Sequence, residues 1–142
     1  MPRSVCLLAS LLVIVGCAAQ PPTASSQFDG HYVGDSARTR DGSICGPDIQ
    51  SDTVAIAGGH FDYTFLVINP TLSWQPQPVT VSVAVAADGS FDGGTMYYAD
   101  APLSRYNIRT AWVTVVGRVT SATLEGEVNS LNCGRHLSLK RT

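Results

Sequence analysis

The sequence predicts an all-β fold: a single small antiparallel domain of about eight strands, forming a closed or nearly closed meander barrel, with a two-sheet β-sandwich as the alternative. Three observations predict it. Apolar residues make up 44% of 142 and charged residues 14%, so the chain can bury a core, while 13 glycines and 8 prolines interrupt it too often for a helical bundle. Beyond the first residues, apolar side chains recur with a period of two, and no ten-residue segment repeats at helical spacing. Glycine-bearing turn signals separate the alternating runs, as consecutive hairpins require.

The first strand lies near Phe28–Gly34, where Phe28 and Tyr32 are offered to a core. Thr53–Ala57 and His60–Ile68 form a hairpin across Gly58-Gly59, with Phe61, Tyr63, Phe65 and Val67 on one face and His60, Asp62 and Thr64 on the other. Asn69–Pro78 reads as a stiffly extended loop, because its prolines cannot donate to a ladder. The firmest strand follows, with Val79, Val81, Val83 and Val85 sharing a face. Asp88-Gly89 turns it into Ser90–Tyr98, since both positions tolerate positive φ. A longer run, 106–119, contains Gly117, where a bend or bulge is expected. Leu124, Gly126 and Val128 then alternate with Glu125 and Glu127, and Leu137 and Leu139 point inward from a last strand, His136–Lys140. Similar phrases recur in FDGHYVG, GGHFDYTF and DGSFDGG without a fixed period, which excludes a solenoid or propeller.

The amino terminus is of another kind. Arg3, an apolar run from Val5 to Val15 and the small residue Gly16 before Cys17 make an export signal, too short to span a bilayer. Ile14-Val15-Gly16-Cys17 resembles the lipobox of bacterial lipoproteins. The resemblance implies cleavage after Gly16, a diacylglyceryl group on the Cys17 thiol and an acylated amine. It also implies retention at the outer membrane, because Ala18 is not acidic. Two or three acyl chains anchor a protein stably where one is marginal. The competing reading is an ordinary signal peptide cut at Ala18 or Ala19. The expected organisation is therefore a leader, 1–16, a lipidated cysteine with a flexible tether, 17–27, and a β-domain, 28–142. The tether, rich in Pro and Ser, reaches at most ~35 Å.

Once Cys6 leaves with the leader and Cys17 carries lipid, Cys45 and Cys133 remain, and exported thiols normally pair. Across 88 positions of sequence a disulfide is worth about 4 to 5 kcal/mol in the chain-entropy description. Cys45 follows the first strand and Cys133 precedes the last, so a bridge makes those strands antiparallel neighbours and closes the barrel. A zinc site on Cys133 and His136 is the competing reading, without a second ligand pair to complete it.

Loss of Arg3 leaves eight cations against eleven anions, which gives nucleic acid nothing to grip. No cofactor or metal is implied. His31, His60 and His136 sit among outward-facing residues. Asp35, Asp41, Asp48 and Asp52 share a loop, 35–52, that matches no calcium pattern, and Glu125 and Glu127 form a solvated strand face. No nucleophile motif occurs, so the expectation is a non-enzymatic domain. Its binding candidates are aromatic: Trp74 among prolines, and Tyr97, Tyr98 and Tyr106 flanking ADAPLSR. Stiffly held aromatics lose little entropy on binding. Trp74 folded back as a lid over one barrel end is the competing reading, and single exposed aromatics near barrel mouths favour it slightly. The function expected is an envelope lipoprotein that binds a protein or polymer; a small-ligand carrier and a hydrolase inhibitor using the Trp74 loop are the alternatives.

Overall fold

The computed structural model describes residues 23–40, 46–69, 73–97, 110–131 and 133–142, with backbone alone for 67–69 and 73–77. Eight strands follow a short 3-10 turn, Ser26–Phe28: β1 Gly30–Arg38, β2 Ile49–Ile56, β3 His60–Asn69, β4 Ser73–Val85, β5 Ser90–Tyr97, β6 Ala111–Val119, β7 Thr123–Ser130 and β8 Gly134–Arg141. All pair antiparallel in one sheet of order β2-β1-β8-β7-β6-β5-β4-β3, a nearly closed barrel rather than a sandwich.

The alternation in the sequence is the alternation of burial. Tyr32, Val54, Ile56, Phe61, Tyr63, Phe65, Val81, Val83 and Val85 point inward, with Leu124, Val128, Leu137 and Leu139 opposite them, in one continuous core. Each such aliphatic side chain contributes about 1.5–3 kcal/mol when fully buried. Phe61 meets Phe91 edge to face at 5.3 Å, and Phe65 meets Tyr97 in the same way at 6.3 Å.

First and last strands are neighbours, as expected: β1 pairs with β8 from Tyr32↔Arg141 to Arg38↔Arg135. The opening lies between β2 and β3. Their turn is the expected two-residue one, with Gly58 at φ 59° and Gly59 at φ 74°, closed by reciprocal bonds between Ala57 and His60. Asp29 accepts both glycine N–H groups, at 2.7 and 2.9 Å. Beyond that turn the arms part. β2 turns to β1 and β3 to β4, so the expected hairpin ladder is a seam instead.

Four further expectations need correction. The loop expected at 69–78 is largely strand: β4 starts at Ser73 and pairs with β3 through Ser73↔Asn69, Gln77↔Val67 and Pro78↔Leu66. Pro78 is tolerated because strand alternation, fixed by Val85 N–H to Gly59 C=O and Ala86 N–H to Ser90 C=O, turns its nitrogen toward β5. There, among the described residues, β4 is laddered at Ala84 and Val85 alone. Gly117 makes no bulge; its register with β5 and β7 is unbroken. A methyl group there would run into the Glu125 carbonyl oxygen and lie 2.6 Å from both Gly126 Cα and Phe91 Cζ, so the glycine makes room for the β7 backbone as well as for a core ring. The Asp88-Gly89 turn has three residues, with Gly89 at φ 83° as the bulge position. Hydrogen bonds from Ser90 hold the Asp88 carboxyl below its ordinary range. Finally, the loop expected at 35–52 shrinks to 39–48, because β1 and β2 are longer than the apolar pattern indicates.

Candidate functional site

The meander separates two ends. The tight turns at 58–59, 87–89 and 120–122 lie at one, together with the carboxyl terminus, where Thr142 N–H meets the His31 carbonyl. The described end of the expected tether is folded onto it: Ala24 bridges Ala86, Ser25 N–H donates to Val85 C=O, and Phe28 packs on the core. The Tyr32 hydroxyl donates to the Phe28 carbonyl at 2.9 Å and is raised in pKa by its burial. At the opposite end, the loop end, β1, β3, β5 and β7 finish and β2, β4, β6 and β8 begin.

That loop end is apolar at its rim. Among the described residues six large apolar side chains are exposed, and five of them, Ile49, Leu66, Met96, Trp112 and Leu131, lie at or near strand ends facing the loops. Trp112, 61% exposed, is the direct cross-strand partner of Met96, 60% exposed. Neither was singled out by sequence reasoning. Their signal was present, because the inward positions Ala111, Val113 and Val115 force Trp112 outward.

Below the rim, a charged side chain is turned into the barrel. Arg135 is 1% exposed, at the inward position that Leu137 and Leu139 continue. Its Nε donates to Ser36 Oγ at 2.9 Å, Nη2 to the Ser36 carbonyl at 2.8 Å and Nη1 to the Pro47 carbonyl at 2.8 Å. Buried guanidinium groups are tolerated when their donors are satisfied. Beside it the buried Tyr63 donates from β3 to Asp52 Oδ2 on β2 at 3.1 Å, across the seam, and Gln50 Nε2 donates to the same carboxylate. Burial first, then the adjacent carboxylate, hold the Tyr63 phenol well above the usual value of 10.0. Inward Ser36, Gln50 and Asp52 explain why the apolar pattern failed to mark the ends of β1 and β2.

On its outer side the seam holds a groove of about 480 Å³ lined by Thr53, Ala55, His60, Phe61 and Asp62. Ser82 Oγ donates to Asp62 Oδ1 at 2.6 Å, which fixes that carboxylate at the groove wall.

The residues expected to carry function are dispersed. Cys17, Cys45, Tyr98 and Tyr106 lie outside the described residues, as does Asp41. Cys133 is buried and is not a free thiol. Trp74 belongs to β4 by its backbone, and its side chain lies outside the described set. Tyr97 is buried against Phe65 and serves the core instead of a loop. His31 and His60 are exposed at the turn end. His136 sits between Glu127, at 2.7 Å from Nδ1, and Glu125, at 3.3 Å from Nε2, so the glutamate pair belongs to a polar surface cluster on β7 and β8. Asp35 accepts from Ser51, and Asp48 pairs with Arg38. Among the described residues no group of three or more His, Cys, Asp or Glu is arranged to hold a metal. No helix among them is long and apolar enough to cross a membrane.

No protein-family model matches this chain, nor does any curated protein or solved structure.

Proposed function

We propose that the chain is an exported lipoprotein fastened through Cys17 to the bacterial envelope, at the outer membrane, and that its barrel binds an envelope protein or polymer without catalysing a reaction. The observation that supports this most is the separation of the two barrel ends. The amino-terminal segment from Ala24 docks at the turn end, so an anchor at Cys17 leaves from there, while the exposed Met96–Trp112 pair occupies the other. Aromatic and thioether side chains at a rim supply contact area of the kind that interfaces enrich.

Pairing of Cys133 with Cys45 belongs to this reading. Thr39 N–H donates to the Gly134 carbonyl and Arg135 to that of Pro47, so both flanks of residues 41–45 rest against the start of β8. Carriage of a small ligand is the weaker reading, because Phe65, Val81 and Val83, which would line its cavity, pack into the continuous core. The acidic charge balance argues against a nucleic-acid partner.

The test is photo-crosslinking in intact envelopes, with a photoreactive residue at Trp112 or Met96 and, for comparison, at Gln27 or His31. A discrete adduct from the loop-end positions alone is expected. Equal adducts from both ends, or none from Trp112 and Met96, would overturn the reading.

A further inference from the structure

We infer that the β2–β3 seam is a strand-acceptor site, which takes an extended segment of a partner polypeptide bearing a basic side chain. The inference does not depend on lipid anchoring or on the loop end. It begins with the direction of the backbone groups. Arg38 N–H bonds to Asp48 C=O, and Ala57 and His60 bond each other. Because antiparallel strands alternate the side to which they bond, Ser51, Thr53 and Ala55 of β2 and Asp62, Thr64 and Leu66 of β3 turn their N–H and C=O groups into the seam. An extended peptide is the ligand class whose own alternating donors and acceptors match such edges.

The edges are also left open. Natural edge strands are commonly blunted by lysine, proline or a bulge. β2 and β3 contain no Lys, Arg or Pro, and the register shift of β3, between Val67 and Asn69, lies beyond the seam-facing positions Asp62, Thr64 and Leu66, whereas β4, whose outer part lacks a β5 ladder, carries Pro78 with its nitrogen on that side. One open edge is therefore blocked and the seam is not.

Charge and shape select the segment. The two seam strands carry two carboxylates, Asp52 and Asp62, and no Lys or Arg. Asp52 is engaged by Tyr63 and Gln50, whereas Asp62, exposed at the wall of the 480 Å³ groove, accepts from Ser82 on Oδ1 and turns Oδ2 to a basic side chain. Toward the loop end, Ile49 and Leu66, 66% and 54% exposed, flank the same seam and offer apolar contact to the far end of the segment.

Fluorescence anisotropy with three synthetic peptides of about eight residues tests this. The first alternates valine and threonine with one central lysine, the second has glutamate for the lysine, and the third carries the lysine with N-methylated amides at alternate positions. The lysine peptide is expected to bind, the glutamate peptide at least about tenfold more weakly, and the N-methylated peptide not at all. Asp62→Asn should weaken the lysine peptide without weakening the glutamate peptide, and so remove most of the preference between them. Thr53→Pro, which deletes one seam-facing donor, should weaken every peptide. On binding, amide exchange should slow at Thr53, Ala55, Asp62 and Thr64. No binding of the lysine peptide up to about 1 mM, equal binding of its N-methylated form, or exchange protection confined to other strands would overturn the inference.

Discussion

Tyr63 on β3 donates a 3.1 Å hydrogen bond to Asp52 on β2, joining the two strands that the sheet leaves without a ladder. The phenol is buried, and its pKa is raised in the fold. The folded state therefore holds the proton more tightly than the unfolded chain. The stabilisation is whole below the phenol's ordinary value of 10.0 and is lost as the pH rises above it toward the folded value. Denaturant unfolding of wild type should weaken steeply above pH 10.0, and Tyr63→Phe should flatten that slope. At neutral pH the same substitution should cost about 1.5–3 kcal/mol, the range for a hydrogen bond to a charged group. An unchanged alkaline limb in Tyr63→Phe would contradict this assignment.

Arg135 holds the connection between β1 and β2 from inside the barrel. Arg135→Ala should lower stability by about 3 kcal/mol or more, because it leaves Ser36 Oγ and two carbonyls unsatisfied and opens a void. Arg135→Lys supplies charge without the planar fork and should recover less than half of that loss. Chemical denaturation of the three proteins measures it; full recovery by lysine would show that charge alone matters.

Gly117 and Gly126 are cross-strand partners beneath the Phe91 ring. Gly117→Ala should destabilise by about 2–3 kcal/mol through overpacking against Phe91 and the neighbouring strand. The paired change Gly117→Ala with Phe91→Leu should cost less than the sum of its parts. Additive losses in thermal unfolding would show that the ring is not what the glycine accommodates.

Most of the architecture was legible in the sequence because most strands bury one wholly apolar face. β3, β7 and β8 show it directly, through Phe61/Tyr63/Phe65, Leu124/Val128 and Leu137/Leu139. Where an inward position is polar, the pattern stops too early. Ser36, Gln50 and Asp52 look like loop residues until Arg135 and Tyr63 are placed beside them, and Arg135 was reachable only by extending the period of two one step beyond Leu137. The seam left no local mark. A Gly-Gly turn reads the same whether its arms pair or part, and that choice is made by β1 and β4, which capture β2 and β3 from either side.

If Cys45 and Cys133 are bridged, Cys45→Ser, Cys133→Ser and the double substitution should each lose about 2–5 kcal/mol, with the double no worse than the single changes. Two separate, additive losses would assign the cysteines independent roles and remove the covalent link from the loop end.

Intact-mass analysis of the protein extracted from membranes tests the central claim most directly. The account predicts a chain beginning at Cys17, heavier than its sequence by a diacylglyceryl group and an amide-linked acyl chain, and lighter by the two hydrogens of one disulfide. A mature chain with an unmodified amino terminus, or one that begins at Ala18 or Ala19, would contradict it.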